Sequence, residues 1–451
     1  MFLIIFSLAL IILNIICFIK KKYLYLFIPC MLFLPEYYGI EFNSSLPLLT
    51  VTRMMFIVFY VYAFINKRRT FVINKDNLRS ISLPYKLLIG YFALRIISNL
   101  YYVTTYGQAV KTIFLLIFEQ AFLLIAIYML APTKEELFTL LKMVIYTAAA
   151  FYIIGILESL TYIRIFDSLN IVSRNMLNQY FIRLGLLRAT TTFGMPINYG
   201  NMCLFTLPFI MFLYEETRQK RYLFIAFLNI LAMIHSGSRA DFIFYVFILA
   251  IYFIFVTIGK KRKLLCLKNY FCVAILLALT TLSLSIYSTN YQYFYVGTVK
   301  SVLNEVGFEF DLSEGAPEGT EGFGENNNYG SGSRIAQFSG MKYTLKTSPI
   351  FGLGSKAQTR GDVQYFSRGH WHPSKTYDVG YVEIFCDEGI IGFTGYLFMI
   401  LALFIIIFKK RKNYTGKYMA LITSSYFLGM LSTANMPAFL MLILIISIAF
   451  F

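Results

Sequence analysis

Long apolar runs separated by short polar segments fill most of this sequence. About thirteen of these runs approach the roughly 20 residues that a helix needs to cross a bilayer. They lie at residues 2–19, 23–40, 48–66, 85–103, 112–131, 137–158, 196–214, 222–235, 240–258, 269–287, 381–408, 417–433 and 435–451. The pattern therefore predicts an all-α polytopic membrane protein with about 12–13 transmembrane helices.

One long polar interruption, at residues 288–380, divides the apolar runs into two groups. We predict about ten spans within residues 1–287, with a smaller loop at 159–195, and about three spans within residues 381–451. The chain is therefore expected to carry one large loop between two membrane-embedded parts.

The large loop has two compositions. Residues 304–332 are acidic and rich in glycine and asparagine, which predicts a mobile flap. Calcium-loop spacing is not evident there. From Arg334 onward the sequence predicts an amphipathic helix over 334–347, then a turn at Ser348 and Pro349.

Composition supports a membrane protein. Hydrophobic residues make up 58% of the chain and charged residues 14%, whereas soluble domains average about 25% charged. The formal net charge is +17, but the basic residues cluster between apolar runs, which favours membrane topology over nucleic-acid binding. The six cysteines fall in or beside apolar runs, so no disulfide framework is expected.

Five basic clusters fix a predicted orientation. If the spans alternate, the clusters at 20–22, 67–69, 218–221, 260–263 and 409–412 all fall on one face. Clusters of lysine and arginine mark the cytoplasmic side. The loops at 159–195, 236–239 and 288–380 are therefore predicted to be extracytoplasmic.

Several arginines lie in these loops, against the usual charge bias, and two share a local sequence. Ser-Gly-Ser-Arg ends at Arg239 and again at Arg334. In both copies a serine is a predicted N-cap and the arginine enters the first helical turn. A cation is mildly disfavoured there, unless an anion such as phosphate binds the same helix terminus.

Polar residues also occur within predicted spans. Arg95 and Glu119 are expected either to form a structural ion pair or to line the site. Asn198 follows Gly194 and Pro196, which suggests a broken helix start that lines a cavity.

The sequence His370-Trp371-His372 contains two of the three histidines and the only tryptophan. The H-x-H spacing is compatible with metal binding, but no third ligand is evident. A general base, or hydrogen bonding to a sugar beside Trp371, is the favoured interpretation.

The order of these motifs resembles the O-antigen ligase and O-antigen polymerase superfamily of bacterial surface-polysaccharide assembly. The matching pieces lie within about residues 185–400: FGMPIN at 193–198, Ser238-Arg239, Arg334, SPIFGLG at 348–354, Tyr381, and EGIIG at 388–392. Two departures occur: Ile197 separates the family's Pro-Asn pair, and Asp378-Val379 occupies the slot where the family often has His-Asn.

The resemblance implies a GT-C-like architecture and a glycosyltransferase that needs no metal or other cofactor. The enzyme would act at the extracytoplasmic face of the bacterial cytoplasmic (inner) membrane, on an undecaprenyl-diphosphate-linked oligosaccharide and an acceptor glycan. The matching arginines, Arg239 and Arg334, would hold the diphosphate, and Arg188 in the loop at 159–195 is a further candidate for this role. The resemblance also makes Asn198, Trp371, Tyr381 and Glu388 candidate substrate-binding residues.

The base that would take the acceptor proton stays open. Either Asp378 is the base, or His370 or His372 reaches in from the preceding loop.

Three activities are considered. A repeat-unit polymerase for O-antigen or capsule is favoured over a ligase that transfers glycan to lipid A core in lipopolysaccharide, because a long flap and many tyrosines suit a growing sugar chain. A polysaccharide flippase or exporter is less favoured, because alternating access does not require so large a loop. Expected partners are membrane lipids and a chain-length regulator protein, but no nucleic acid.

Overall fold

The computed structural model of this chain describes residues 2–35, 38–40, 47–69, 82–169, 181–256, 263–305, 307–317, 331–367, 369–373, 377–411, 414–433 and 436–449. Residues 318–330 of the predicted flap lie outside these residues.

Helices make up most of the described chain. We number them in chain order: α1 Phe2–Ile19, α2 Leu24–Phe33, α3 Val51–Ile65, α4 Leu83–Leu100, α5 Gly107–Leu130, α6 Lys134–Thr161, α7 Pro196–Thr217, α8 Arg221–His235, α9 Arg239–Ile251, α10 Lys263–Tyr287, α11 Thr289–Glu305, α12 Ser331–Thr347, α13 Ala357–Arg360, α14 Gly380–Lys410, α15 Tyr414–Gly429 and α16 Pro437–Ala449.

Strands are short and form two-stranded antiparallel hairpins in the described part. They are β1 Gly39–Ile40 with β2 Leu49–Thr50, β3 Ile182–Arg183 with β4 Leu186–Leu187, and β5 Gln364–Ser367 with β6 His370–Pro373. The candidate Arg188 directly follows the second hairpin, and the candidates His370 and His372 lie on the third.

The all-α polytopic membrane fold is confirmed. Among the described residues, five helices are long and apolar enough to cross a membrane by length and composition: α5, α6, α7, most of α10, and α14. Shorter apolar helices of 10–17 residues occur as well. The total of 12–13 spans stays a prediction.

Two local expectations need correction. The apolar run at 23–40 forms only the ten-residue helix α2, which ends at Phe33 shortly before Pro35. The large predicted loop contains the helix α11, and α12 begins at Ser331, three residues before its predicted start. Ser333 therefore lies inside α12 and is not its N-cap.

The chain divides into two compact units. Unit 1 comprises Met1–Met143, Ile335–Met419 and Ala434–Phe451, and unit 2 comprises Val144–Arg334 and Ala420–Thr433. The candidate residues fall in both units, so each unit is described by itself.

Unit 1 contains a helix break that another part of the chain fills. The backbone of α14 leaves helical geometry at Gly389, with φ 63° and ψ −161°, a region that is essentially restricted to glycine. The turn at 349–354 lies against this break. A Cβ on Gly389 would approach the Ile350 carbonyl oxygen to 2.5 Å, so the close approach also requires glycine.

The turn supplies hydrogen-bond partners to both halves of the broken helix. A helix end normally leaves backbone carbonyls or N–H groups without partners. Here the N–H groups of Leu353 and Gly354 donate to the carbonyls of Cys386 and Asp387 (2.7 and 3.0 Å), and those of Ile390 and Ile391 donate to the carbonyls of Pro349 and Ile350 (2.9 and 3.1 Å). Irregular backbone is tolerated within a membrane only when its polar groups are satisfied in this way.

A buried ion pair fixes the same break. Arg95 donates from Nε and Nη2 to the two carboxylate oxygens of Glu388, at 2.7 and 2.5 Å, and both side chains are almost fully buried. The expected Arg95–Glu119 pair is therefore wrong: Glu119 instead accepts from Arg53 at 2.6 Å. The motif that includes Glu388 joins α4 to the helix break.

Replacing Glu388 with glutamine should strongly destabilise unit 1. Loss of one partner from a buried ion pair costs about 3–5 kcal/mol, because the other charge stays buried. We expect a clear fall in the Tm of the purified protein, and the double variant Arg95→Met with Glu388→Leu should recover part of it. Glu136→Gln is the control, because Glu136 forms an ion pair with Arg68 at 3.1 Å in which the Arg68 side chain is 45% exposed. Exposed pairs contribute up to about 1 kcal/mol. Equal Tm values for the Glu388 and Glu136 variants would contradict this expectation.

Candidate functional site

In unit 2, the β3–β4 hairpin holds the turn between α8 and α9. Arg183, at the end of β3, donates from Nη1 to the carbonyl of Gly237 at 3.0 Å. Arg188, just after β4, donates from Nε to the carbonyl of Ser236 at 2.9 Å. Two guanidinium groups from one hairpin therefore bind consecutive carbonyls of this turn.

The turn needs glycine at its centre. Gly237 has φ +60°, and a Cβ there would lie 3.0 Å from Arg188 Nε. The glycine in the first Ser-Gly-Ser-Arg segment is therefore required by the structure. Gly237 allows the bend, and its missing side chain leaves space for Arg188.

Helix α9 starts directly after this turn. Ser238 occupies the N-cap position, as predicted, but its side chain makes no capping hydrogen bond within the described structure. Arg239 is the first helical residue. The positive end of the α9 dipole therefore coincides with a guanidinium side chain.

Three arginines act on one another electrostatically in unit 2. Burial lowers the pKa of Arg188 to about 10; Asp241 opposes this shift, and the charges of Arg239 and Arg334 add to it. Arg188 still carries its proton at neutral pH. Within the described residues neither Arg188 nor Arg334 forms an ion pair. We call Arg188, Arg239 and Arg334 the arginine cluster.

Such a cluster has the chemistry of an anion site. The Nε of Arg188 is held by Ser236, which leaves its two terminal nitrogens to bind a planar or tetrahedral oxyanion as a fork. Mutual repulsion among three cations favours occupation by a group with more than one negative charge. A diphosphate satisfies both conditions.

Asn198 lies at the start of α7, as the sequence predicted. Its side-chain oxygen accepts a hydrogen bond from the Thr433 hydroxyl at 2.7 Å, and its nitrogen donates to the Phe193 carbonyl at 3.4 Å. Pro196 is the first residue of α7, a position where the missing N–H has no cost. Asn198 thus links α7 to the segment after α15.

A small pocket lies beside Arg239 in unit 2. Arg183, Ser238 and Ser301 contribute polar groups to its wall, whereas Ile234 and Phe242 contribute apolar surface. A ligand with a polar end and an apolar part fits this lining better than a fully polar one.

A buried histidine in unit 2 was not among the predicted site residues. His235 is fully buried, with Nδ1 2.9 Å from the Ser159 hydroxyl and Nε2 3.0 Å from the Tyr295 hydroxyl. Ser159 donates to the Leu187 carbonyl, so Nδ1 carries the histidine proton and Nε2 accepts. Its position immediately before Ser-Gly-Ser-Arg was the available signal.

The remaining predicted site residues belong to unit 1. His370 and His372 lie on β6 with exposed side chains, their ring centroids 5.8 Å apart. Trp371 packs beside Phe366, at 5.4 Å between ring centroids, and stays 38% exposed. Within the described residues no group of three or more histidine, cysteine or acidic side chains is placed to hold a metal.

Asp378 and Tyr381 stand near the start of α14. Asp378 is half-buried and accepts from Gln337 Nε2 at 2.8 Å, while its backbone N–H donates to Gln337 Oε1 at 2.9 Å. Tyr381 is half-buried and packs edge-on against Tyr396. Glu388 is buried in its ion pair with Arg95. It holds the helix break in place, and its side chain is not accessible to a substrate.

Comparison with known families agrees with the motifs. A family model described as O-antigen ligase matches residues 224–397, a segment that includes Arg239, Arg334, the docked turn and the helix break. No curated protein matches the chain. The predicted resemblance to the O-antigen ligase and polymerase superfamily is therefore confirmed by the match of residues 224–397 of this membrane protein.

Proposed function

We propose that this protein is a polysaccharide polymerase. It transfers a glycan from undecaprenyl diphosphate to a sugar hydroxyl of a second lipid-linked repeat unit, at the extracytoplasmic face of the bacterial inner membrane. The observation that carries this proposal is the arginine cluster beside the N-terminus of α9. Members of the matched family act on O-antigen, which makes a lipid-linked glycan the natural source of the diphosphate.

The proposed reaction is a single substitution at the anomeric carbon of the donor sugar. The acceptor oxygen forms a bond to that carbon as the bond from the carbon to the phosphate oxygen breaks. The diphosphate leaves with the bonding electron pair, and a base takes the acceptor proton. The arginine cluster stabilises the charge that develops on the leaving oxygen.

The donor's apolar tail and its sugar need separate environments. We propose that the first part of the isoprenoid lies near Arg239, because Ile234 and Phe242 present apolar surface beside that residue. Asn198, Trp371 and Tyr381 remain the proposed contacts for sugar. Trp371 supports this role because its exposed ring is available to stack on a sugar face.

Three residues remain candidates for the base. Asp378 is held in a defined position by Gln337, and this favours it over the exposed His370 and His372. A positioned carboxylate has a fixed geometry for accepting a proton, whereas an exposed histidine must first be ordered by substrate.

Reconstitution with defined substrates tests the polymerase proposal. Purified protein incubated with lipid-linked repeat units alone should produce a ladder of longer glycans on a gel, because donor and acceptor are then the same molecule. A product that forms only after lipid A core is added would indicate a ligase. Movement of intact lipid-linked units across a vesicle membrane, with no new glycosidic bond, would indicate a flippase.

A further inference from the structure

A buried carboxylate lies next to the arginine cluster and forms no part of the expected anion site. Asp241 is in the first turn of α9, two residues after Arg239, and its side chain is fully buried. An acidic residue in a first turn is favoured by the helix dipole. Its proximity to a site for anions, however, works against ligand binding.

Hydrogen bonds hold this carboxylate in place. Asp241 Oδ1 accepts from Asn201 Nδ2 at 3.3 Å and from the Ser432 hydroxyl. Asp241 Oδ2 lies against Gly200, where an added Cβ would come within 2.6 Å of it. Asp241 is therefore fixed by neutral groups, and no ion pair to it occurs among the described residues.

The carboxylate and Arg188 meet at the same short turn. Asp241 Oδ2 and Ser236 Oγ both lie within 3.0 Å of the place that a Cβ on Gly200 would occupy. The backbone carbonyl of Ser236 in turn accepts from Arg188 Nε at 2.9 Å. The carboxylate of Asp241 therefore lies close to Ser236, the residue whose carbonyl holds the Arg188 guanidinium.

We propose that Asp241 is a positioning residue that limits how tightly the arginine cluster binds diphosphate. This inference rests on the proposed function of the cluster. Three guanidinium groups and one carboxylate leave two net positive charges, which match the two ionised phosphates of a diphosphate diester. The leaving diphosphate, which ends in a monoester, carries further negative charge at neutral pH. Without Asp241 the cluster would retain this product more tightly and release it more slowly.

Asp241→Asn separates charge from structure. Asparagine keeps the size of the side chain and accepts the same hydrogen bonds from Asn201 and Ser432. We expect the inhibition constant of inorganic diphosphate to fall about tenfold, since one repulsive charge is removed at short range. The KM for lipid-linked donor and the kcat should both fall, because product leaves more slowly. An unchanged inhibition constant would overturn the proposal.

Two control variants distinguish the loss of charge from the loss of packing. Ser432→Ala removes one hydrogen bond to Asp241 but keeps the charge, so a fall in the inhibition constant equal to that of Asp241→Asn would show a structural effect and overturn the proposal. Glu314→Gln removes an exposed carboxylate that pairs with Lys300 in the same unit, and should leave the inhibition constant unchanged. A fall there would likewise overturn a specific role for Asp241.

A variant of opposite sign keeps the test decisive if Asp241→Asn does not fold. Ala240→Asp adds a second carboxylate in the same helical turn, where Ala240 is half-buried. It should raise the inhibition constant of inorganic diphosphate about tenfold, and no rise would overturn the proposal. Arg188→Ala tests the underlying site separately: if it leaves diphosphate inhibition unaltered, the proposed function of the cluster fails, whatever the Asp241 result.

Discussion

Replacing Arg188 and Arg334 together with alanine should abolish glycan transfer. Each guanidinium is preorganised where negative charge develops on the leaving diphosphate, and loss of one such donor typically lowers kcat about 10²–10³-fold. Each single variant should therefore lose about a hundredfold in kcat, and the double variant should fall below detection. The measurement is the rate of polymer formation from purified lipid-linked repeat units, with the Tm recorded for every variant.

Variants that preserve charge or lie elsewhere make this result specific. Arg188→Lys keeps a positive charge but loses the planar fork, so its defect should lie between those of wild type and Arg188→Ala. Lys300 lies in the same predicted loop as Arg334 and pairs with Glu314 at 2.6 Å. The variant Lys300→Ala removes this cation and should retain activity. Wild-type transfer by the double arginine variant, or an equal loss in Lys300→Ala, would disprove the role of the arginine cluster.

Replacing Gly389 with alanine should strongly destabilise unit 1. The alanine Cβ would collide with the Ile350 carbonyl and with the backbone N–H of Gly352. These are backbone atoms, which cannot move aside as a side chain can. The forbidden φ and ψ alone cost about 1–3 kcal/mol, and separating the turn from the helix break adds the loss of four hydrogen bonds. We expect a lower yield of monodisperse protein and a Tm reduced by more than in any surface variant.

Gly361→Ala separates backbone strain from collision. Gly361 also has a positive φ, of +78°, but an added Cβ there would meet nothing within 4 Å. Its replacement should cost only the strain, about 1 kcal/mol. If the two alanine variants have the same Tm, the docked turn contributes little and the interpretation of the helix break is wrong.

Local sequence predicted much of the helical framework. Apolar runs are a direct consequence of burial in lipid, so their positions predicted the helices well. The repeated Ser-Gly-Ser-Arg segment suggested a common purpose for Arg239 and Arg334, and this stays a prediction. In unit 2 both arginines lie within electrostatic range of Arg188. The matching family model then confirmed the resemblance carried by these motifs.

Contacts between residues far apart in the sequence could not be predicted from local patterns. Arg95 and Glu388 are 293 positions apart, and nothing in their surroundings indicates that they pair. Glu119 was the nearer acidic residue and was therefore the expected partner of Arg95. Asp241 was overlooked for a related reason: a single acidic residue in a first helical turn is common, and only the packing of α7 and α9 in unit 2 shows that it is fully buried beside cations.

The docked turn has a consequence for biogenesis. Residues 349–354 leave the ribosome before residues 386–391, so during synthesis the turn waits without its hydrogen-bond partners. In the folded protein the turn satisfies four backbone groups at the helix break. We therefore expect the turn to reach its native position only after α14 has been synthesised.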